Sequence, residues 1–225
     1  MIIAINGKIG AGKDTVGTII QGLLLTNKNQ SSEIKKFAGK LKQIASILTG
    51  IPVKKFEDQE FKTTLLDVEW GTVQNVPLNS IPPFADMQFN VMMSVREFLQ
   101  KLGTEAMRDG LHTNVWVNAL FADYKAKWIP TGNAVEEDEV SLEKKYPNWI
   151  ITDMRFPNEM EAVEKRHGIT IRVTRPAEKG KNTARLHPSE TALDNTTFDY
   201  EIINDGTMEE LVKKVRKILV NEELV

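Results

Sequence analysis

Gly7, Gly10, Gly12, Lys13, Asp14 and Thr15 form a run whose residue types and spacing suit the binding of phosphate. Glycines tolerate positive φ, so consecutive backbone N–H groups can curl around an anion. The spacing Gly7-x4-Gly12-Lys13 is that of a phosphate-binding P-loop. A helix opening at Lys13 would add its unpaired N–H groups and dipole, and the Lys13 ammonium would reach the outer phosphates. One position departs from the pattern. The residue after Lys13 is ordinarily Ser or Thr, whose hydroxyl binds magnesium; here it is Asp14, with Thr15 behind it. The bland alternative is a Gly-rich turn that only permits close packing, and the strand before it and helix after it argue against that.

Phosphoryl transfer also needs positive charge on the transferring group. Arg155, Arg166, Arg172, Arg175 and Arg185 fall in one stretch, and guanidinium groups grip phosphate oxygens in pairs without losing their proton. Asp153 ends an apolar run and has three readings: a carboxylate holding magnesium through water, an orienting partner for Arg155 or a substrate hydroxyl, or a helix cap ahead of Pro157. Arg175, Lys179, Lys181 and Arg185 occupy a polar segment, 175–195, that reads as a lid closing cations over phosphates and excluding water; a solvated basic loop is the alternative. His112, His167 and His187 show no metal-ligand spacing. Trp116 and Trp128 read as helix-packing aromatics.

These residues need a scaffold. Met1–Ile5 is a buried strand, followed by a helix from Lys13 to about Leu25. Glu33–Phe37, Trp149–Asp153, Ile169–Thr174 and Tyr200–Ile203 are further strands. Helices are expected over Lys40–Thr49, from Ser94 to about Ala106 with Ser94 and Glu97 as a capping box, over Asn114–Trp128, Pro157–His167 and Thr207–Val220. Residues 51–93, with Pro52, Pro77, Pro82 and Pro83, read as an insertion or mobile substrate-side segment, with a short helix over Lys54–Leu66. Residues 129–148, with the acidic run Glu136–Glu139, read as a second insertion, a solvated loop or hairpin. Strands alternating with helices predict an α/β fold: a parallel sheet of about five strands, flanked by helices, in one domain spanning 1–225. Ligands in such folds sit at the C-terminal strand ends. Gly7–Lys13, Ala38–Lys42, Asp153–Arg155, Arg175 and Asn204–Gly206 are therefore expected to border one cleft.

Composition narrows the function further. The 225 residues are 41% hydrophobic and 27% charged, with net charge −2 and no cysteine. That argues against a duplex nucleic acid partner, disulfides and Cys-ligated metal sites. No apolar run approaches the roughly 20 residues that cross a bilayer, and a cytoplasmic location is expected.

Taken in order, Gly7-x4-Gly12-Lys13-Asp14-Thr15, Phe37-Ala38-Gly39-Lys40-Leu41-Lys42, Ser94-Val95-Arg96, Leu102-Gly103-Thr104-Glu105, Trp116-Val117, Asp153-Met154-Arg155-Phe156-x2-Glu159, Arg175-Pro176, His187-x-Ser189-Glu190 and Asn204-Asp205-Gly206 resemble the deoxynucleoside monophosphate kinases of tailed bacteriophages. The resemblance is weak across 51–93 and 129–148. It implies a P-loop kinase fold and transfer of phosphate from ATP, with Mg2+, to a deoxynucleoside 5′-monophosphate. Gly-Lys-Asp-Thr is that family's own form of the loop.

Carried over by position, the resemblance implies that Gly10, Ala11, Gly12, Lys13, Asp14 and Thr15 bind ATP, with Asp14 or Thr15 toward magnesium. Leu41, Lys42, Lys62, Arg96, Gly103, Thr104, Trp116, Asp153, Arg155, Phe156, Glu159 and Ser189 would line the monophosphate site. Lys62 stands where the family has Arg. Lys13, Arg155 and Arg175 would carry the catalytic charge, Arg185 would serve the lid, and Asp205 would lie in an adenine-side turn. A homodimer is the family expectation. Two other readings share the loop: a kinase for another phosphorylated metabolite such as dephospho-coenzyme A, and a nucleotide-dependent regulatory protein. No Asn-Lys-x-Asp signature supports a GTPase-like switch.

Overall fold

A run of small and β-branched apolar residues with no polar interruption suits a strand covered on both faces. Ile2–Asn6 forms that strand, β1, and its Ile2, Ile3, Ala4 and Ile5 are buried. In the computed structural model, which describes residues 1–75, 88–130, 142–176 and 191–225, β1 lies at the centre of a five-stranded parallel sheet. Its neighbours are β7 (Trp149–Ile151) and β8 (Ile169–Thr174); β2 (Glu33–Lys35) and β9 (Tyr200–Ile203) form the edges. The expected α/β fold with a five-stranded parallel sheet is therefore observed.

The chain's contacts divide it into two compact units, 1–37 with 117–225, and 38–116. In the first, alternation along β1 separates two apolar layers. Ile3 and Ile5 pack with Val16, Ile20 and Leu24 of α1 (Lys13–Lys28) and with Leu211, Val215 and Leu219 of α6 (Met208–Asn221). Ile2 and Ala4 face the other way, with Trp149, Ile151, Phe121 and the Met160 and Val163 side chains of α5 (Pro157–Glu164). α6 opens on a capping box: Thr207 Oγ1 accepts the Glu210 N–H at 3.3 Å and Glu210 Oε2 accepts the Thr207 N–H at 2.8 Å. Past α5, His167 takes a left-handed φ of 52° and the Gly168 N–H bonds the Val163 carbonyl, ending the helix.

The second unit has its own core of Ala45, Phe56, Leu66, Met93, Val95 and Phe98. Its elements are α2 (Ala38–Thr49), 3-10 turns over Val53–Glu57, Phe61–Thr63 and Val68–Trp70, the antiparallel pair β3 (Thr72–Asn75) and β4 (Gln88–Val91), and α3 (Val95–Gln100). α3 runs on as a π-helix over Lys101–Asp109. The helix expected over Lys54–Leu66 is thus replaced by short turns. These bring Phe56 edge-on to Phe61 at 6.3 Å and Trp70 edge-on to Phe98 at 4.9 Å.

The helix expected over Asn114–Trp128 stops early. α4 covers Val115–Phe121, and β5 (Lys127–Pro130) pairs antiparallel with β6 (Leu142–Lys145). Aromatic packing accounts for the break, because Phe121 and Tyr124 both lie against Trp149, at 6.2 and 4.8 Å between ring centroids. Trp128 is consequently a strand residue, 64% exposed, and does not pack on a helix. Among the described residues no helix is long and apolar enough to cross a membrane.

Candidate active site

The glycine-rich run leaves the C-terminal end of β1 and closes on itself. The Ala11 N–H bonds the Lys8 carbonyl at 3.1 Å, and the Val16 N–H bonds that of Gly12 at 2.9 Å, beginning α1. Two glycines are obligatory. A Cβ on Gly7 would stand 2.4 Å from the Val173 carbonyl oxygen, and one on Gly12, whose φ is 100°, 2.6 Å from Asn204 Nδ2. Asn204 also donates from Nδ2 to the Ala11 carbonyl at 2.9 Å, so the end of β9 clasps the loop. Lys13 Nζ donates to the Gly7 and Lys8 carbonyls at 2.6 and 2.9 Å.

The anionic residues nearby are held. Asp14 Oδ1 accepts the Thr152 hydroxyl at 2.7 Å and lies 3.4 Å from Lys36 Nζ. Burial alone would raise the Asp14 pKa, but the Thr152 hydrogen bond, the Lys36 ammonium and the charge of Lys13 outweigh it and hold the carboxyl below its usual range. Asp153 Oδ1 accepts the Phe37 N–H at 2.7 Å. Asp153 does not cap α5, which begins after Phe156. Glu159, 3% exposed, takes the inner position instead: its Oε2 accepts the Arg155 and Phe156 N–H groups at 2.7 and 3.1 Å and fixes the turn that carries Arg155.

Of the residues expected to share a cleft, the loop, Asp153–Arg155, Arg175 and Asn204–Gly206 follow the C-terminal ends of β1, β7, β8 and β9. Ala38–Lys42 opens the other unit. Asp205 pairs with Lys214 at 2.7 Å, beside a depression of about 470 Å³ lined with Gly206, Glu210 and Lys213. Arg175 is exposed just past β8. Arg185 and Ser189, with Lys179, Lys181, His187 and Glu190, lie outside the described residues.

In the 38–116 unit, Leu41, Gly103 and Trp116 come together. A Cβ on Gly103 would meet Leu41 Cδ2 at 2.9 Å, and Trp116 Nε1 donates to the Gly103 carbonyl at 2.8 Å. Thr104 follows in the same π-helix. Lys42 is buried and paired with Glu57 at 2.7 Å. Arg96 Nη2 approaches Gln59 Oε1 at 3.4 Å, and Lys62 lies in the next 3-10 turn, its N–H 3.3 Å from the Asp58 carbonyl. His112 Nδ1 accepts the Asn114 N–H at 3.0 Å, a local turn bond.

Residues 54–215 match the family described as Deoxynucleotide monophosphate kinase. The chain belongs to that family. The deoxynucleotide monophosphate kinase of Enterobacteria phage T4 is 30% identical over 126 residues, covering 56% of this chain and 45% of the relative. The deoxynucleoside-5′-monophosphate kinase of Escherichia phage T5 is 25% identical over 242 aligned positions, 91% of this chain and 89% of the relative. A putative deoxynucleotide monophosphate kinase of Acanthamoeba polyphaga mimivirus is 26% identical over 128 residues, 53% of this chain and 58% of the relative. The match to the T4 relative thus spans about half of that protein's length. Within this deoxynucleotide monophosphate kinase-family chain, the matched residues begin after the Gly7–Thr15 loop, so the loop geometry and the family match are separate observations.

Three contacts around the loop were not foreseen from the sequence: the Asn204 clasp, the Thr152–Asp14–Lys36 cluster, and an anchor formed by Lys8 with Asp194 at 3.2 Å. Each joins residues more than 20 positions apart, and no spacing rule reaches that far. Asn204 alone had a hint, because it follows a strand end in a sheet whose strand ends were expected to face ligand.

Proposed function

We propose that this protein transfers the γ-phosphoryl group of ATP to a deoxynucleoside 5′-monophosphate, giving ADP and the diphosphate. The observation that carries this reading is the family match across 54–215. The glycine cradle ahead of it supports the donor side: a helix N-terminus, two positions where no side chain fits, and a lysine at the loop mouth.

The residues present suit a magnesium ion, which takes hard oxygen ligands and relies on substrate phosphates for several of them. The Thr15 hydroxyl in the first turn of α1 has no hydrogen-bond partner among the described residues, and Asp153 offers a carboxylate at the end of β7. These two would hold the ion, Asp153 through water. When bound, the ion neutralises charge on the β- and γ-phosphoryl oxygens.

Loop N–H groups grip the donor, and Lys13 exchanges neutral carbonyl partners for phosphate oxygens. Arg155, its backbone fixed by Glu159, supplies a guanidinium to the acceptor phosphate. No general base is needed, because the acceptor oxygen is already anionic at neutral pH; catalysis is positioning and charge neutralisation. Leu41, Lys42, Arg96, Gly103, Thr104 and Trp116 form the monophosphate-binding set of the 38–116 unit.

The test is incubation with ATP, Mg2+ and each common deoxynucleoside monophosphate, followed by chromatography. ADP and the matching diphosphate should form in equal amounts. ADP release that is the same with and without every monophosphate overturns the proposal.

A further inference from the structure

Asp14 occupies the position at which a P-loop ordinarily places a hydroxyl, and its contacts differ from those of a simple loop residue. Its Oδ1 accepts the Thr152 hydroxyl at 2.7 Å and sits 3.4 Å from Lys36 Nζ. Thr152 is buried immediately after β7, and Lys36 immediately follows β2. One residue further past each strand end the link is repeated directly, since Asp153 Oδ1 accepts the Phe37 N–H at 2.7 Å. Beneath both contacts the strands are in register, with Lys35 opposite Ile151. Gly17 makes room for the arrangement, because a Cβ there would stand 2.6 Å from Thr152 Cγ2. These contacts bring the Lys36 ammonium and the Asp14 carboxylate together past the ends of β2 and β7.

A pair of this kind does little for stability. The Asp14 side chain is 71% exposed, and exposed ion pairs are largely screened. Its value is placement. Lys36, 26% exposed, is held against the first turn of α1, one residue from Lys13, at the strand ends where such sheets bind ligand.

We propose, building on the phosphoryl-transfer reading above, that Lys36 is a second cation of the donor-phosphate site and that Asp14 is the positioning residue that aims it, rather than a ligand of magnesium. In the transfer, the bond from the γ-phosphorus to the β,γ-bridging oxygen breaks. A new bond forms from that phosphorus to an oxygen of the acceptor phosphate. Lys36 neither gives nor takes a proton; its fixed charge stabilises the phosphoryl oxygens without reorganising when the reaction occurs.

The test uses steady-state kinetics and magnesium titrations on the full chain: wild type, Asp14→Asn, Lys36→Gln, Lys36→Arg, and Asp14→Asn with Lys36→Gln. Thermal melting checks each variant's fold. Asp14→Asn and Lys36→Gln should each lower kcat by about tenfold to 10²-fold, with ATP affinity by calorimetry changed much less. The double variant should be no worse than Lys36→Gln, because the two act as one unit. Lys36→Arg should retain most activity, and the half-saturating Mg2+ concentration should be the same in Asp14→Asn and wild type.

Losses that multiply in the double variant, or a magnesium requirement raised about tenfold in Asp14→Asn, overturn the assignment. Thr152→Val serves if Asp14→Asn fails to fold: it should show the same kcat loss, and unchanged kcat counts against the proposal. A wild type with no monophosphate-dependent turnover overturns the transfer reading as well. Active wild type with the wrong variant pattern overturns only the roles of Asp14 and Lys36.

Discussion

Lys13 in the loop after β1 donates to two neutral carbonyls, those of Gly7 and Lys8, at 2.6 and 2.9 Å. In the 38–116 unit, Lys42 meets a full negative charge, the Glu57 carboxylate, at 2.7 Å. At those two bonds an incoming phosphate would offer Lys13 a charge in place of a dipole, which is a gain. It offers Lys42 one anion in place of another, which is close to an even exchange. On the proposed reading the first lysine would supply binding and transition-state energy, and the second would serve mainly to hold the geometry of its unit. A charge-removing substitution should separate the two.

Lys13→Ala should lower kcat/KM by about 10²- to 10³-fold, the scale for removing one donor from a developing anion, and should weaken ATP binding. Arg155→Ala should lose a similar amount of transfer while ATP affinity, measured by calorimetry, survives. If Lys42→Met costs as much turnover as Lys13→Ala, the contrast between the two lysines is wrong.

Glycines allow a second comparison. At Gly12 an added methyl meets Asn204 Nδ2 at 2.6 Å and must also accept a φ of 100°, so the strain cannot relax. At Gly103 the obstacle is Leu41 Cδ2 at 2.9 Å, the far end of a side chain that can turn away. Gly12→Ala should cost about 3 kcal/mol of stability and abolish tight ATP binding. Gly103→Ala should cost about 1 kcal/mol and act on the monophosphate KM. Urea unfolding together with the two KM values checks both. Equal costs would mean the loop is more yielding than its contacts imply.

The same contrast explains what could be read in advance. The loop was legible because its glycine spacing uses consecutive residues, Gly7 to Thr15, directly after a strand of unbroken apolar residues. β1 and β7 were legible for that second reason, and β8 from the alternation of its apolar Ile169, Ile171 and Val173 with polar residues. The 38–116 unit is assembled from residues far apart in the chain, and Leu41 meeting Gly103 has no local signature. Helical periodicity from Val95 located the helix but could not show that it widens to a π-helix at Lys101. The alanines at 119, 122 and 126 continued a helical period beyond Phe121. Only the position of Trp149, well over 20 residues later, breaks it. Lys36 was missed because its partner, Asp14, lies on another element.

The Lys42–Glu57 pair is itself asymmetric, and this gives a smaller effect. The Lys42 side chain is 10% exposed and that of Glu57 45%. Removing the lysine leaves a carboxylate that water can reach; removing the acid's charge leaves an ammonium that it barely can. Glu57→Gln should therefore destabilise by about 1–2 kcal/mol and Lys42→Met by less, after allowing for the half-exposed partner. Matching losses in urea unfolding would show that burial does not govern the pair.

The least of the expected effects belongs to Asp205, whose carboxyl is held below its usual pKa by the Lys214 hydrogen bond first, then by its own backbone N–H, against the opposing effect of burial. A carboxyl whose pKa is depressed by folding adds stability above its unfolded pKa, about 3.9 for Asp, and loses it as pH falls through the folded value. Wild type should therefore melt slightly above Asp205→Asn at neutral pH. The gap should narrow as pH drops below about 4 and close at lower pH. Added salt should shrink it at neutral pH, because the pair is exposed to solvent. A neutral-pH gap that salt leaves intact would mean that Asp205 is held by the turn after β9 rather than by Lys214, and the exposed pair would then be an effect of that turn and not its cause.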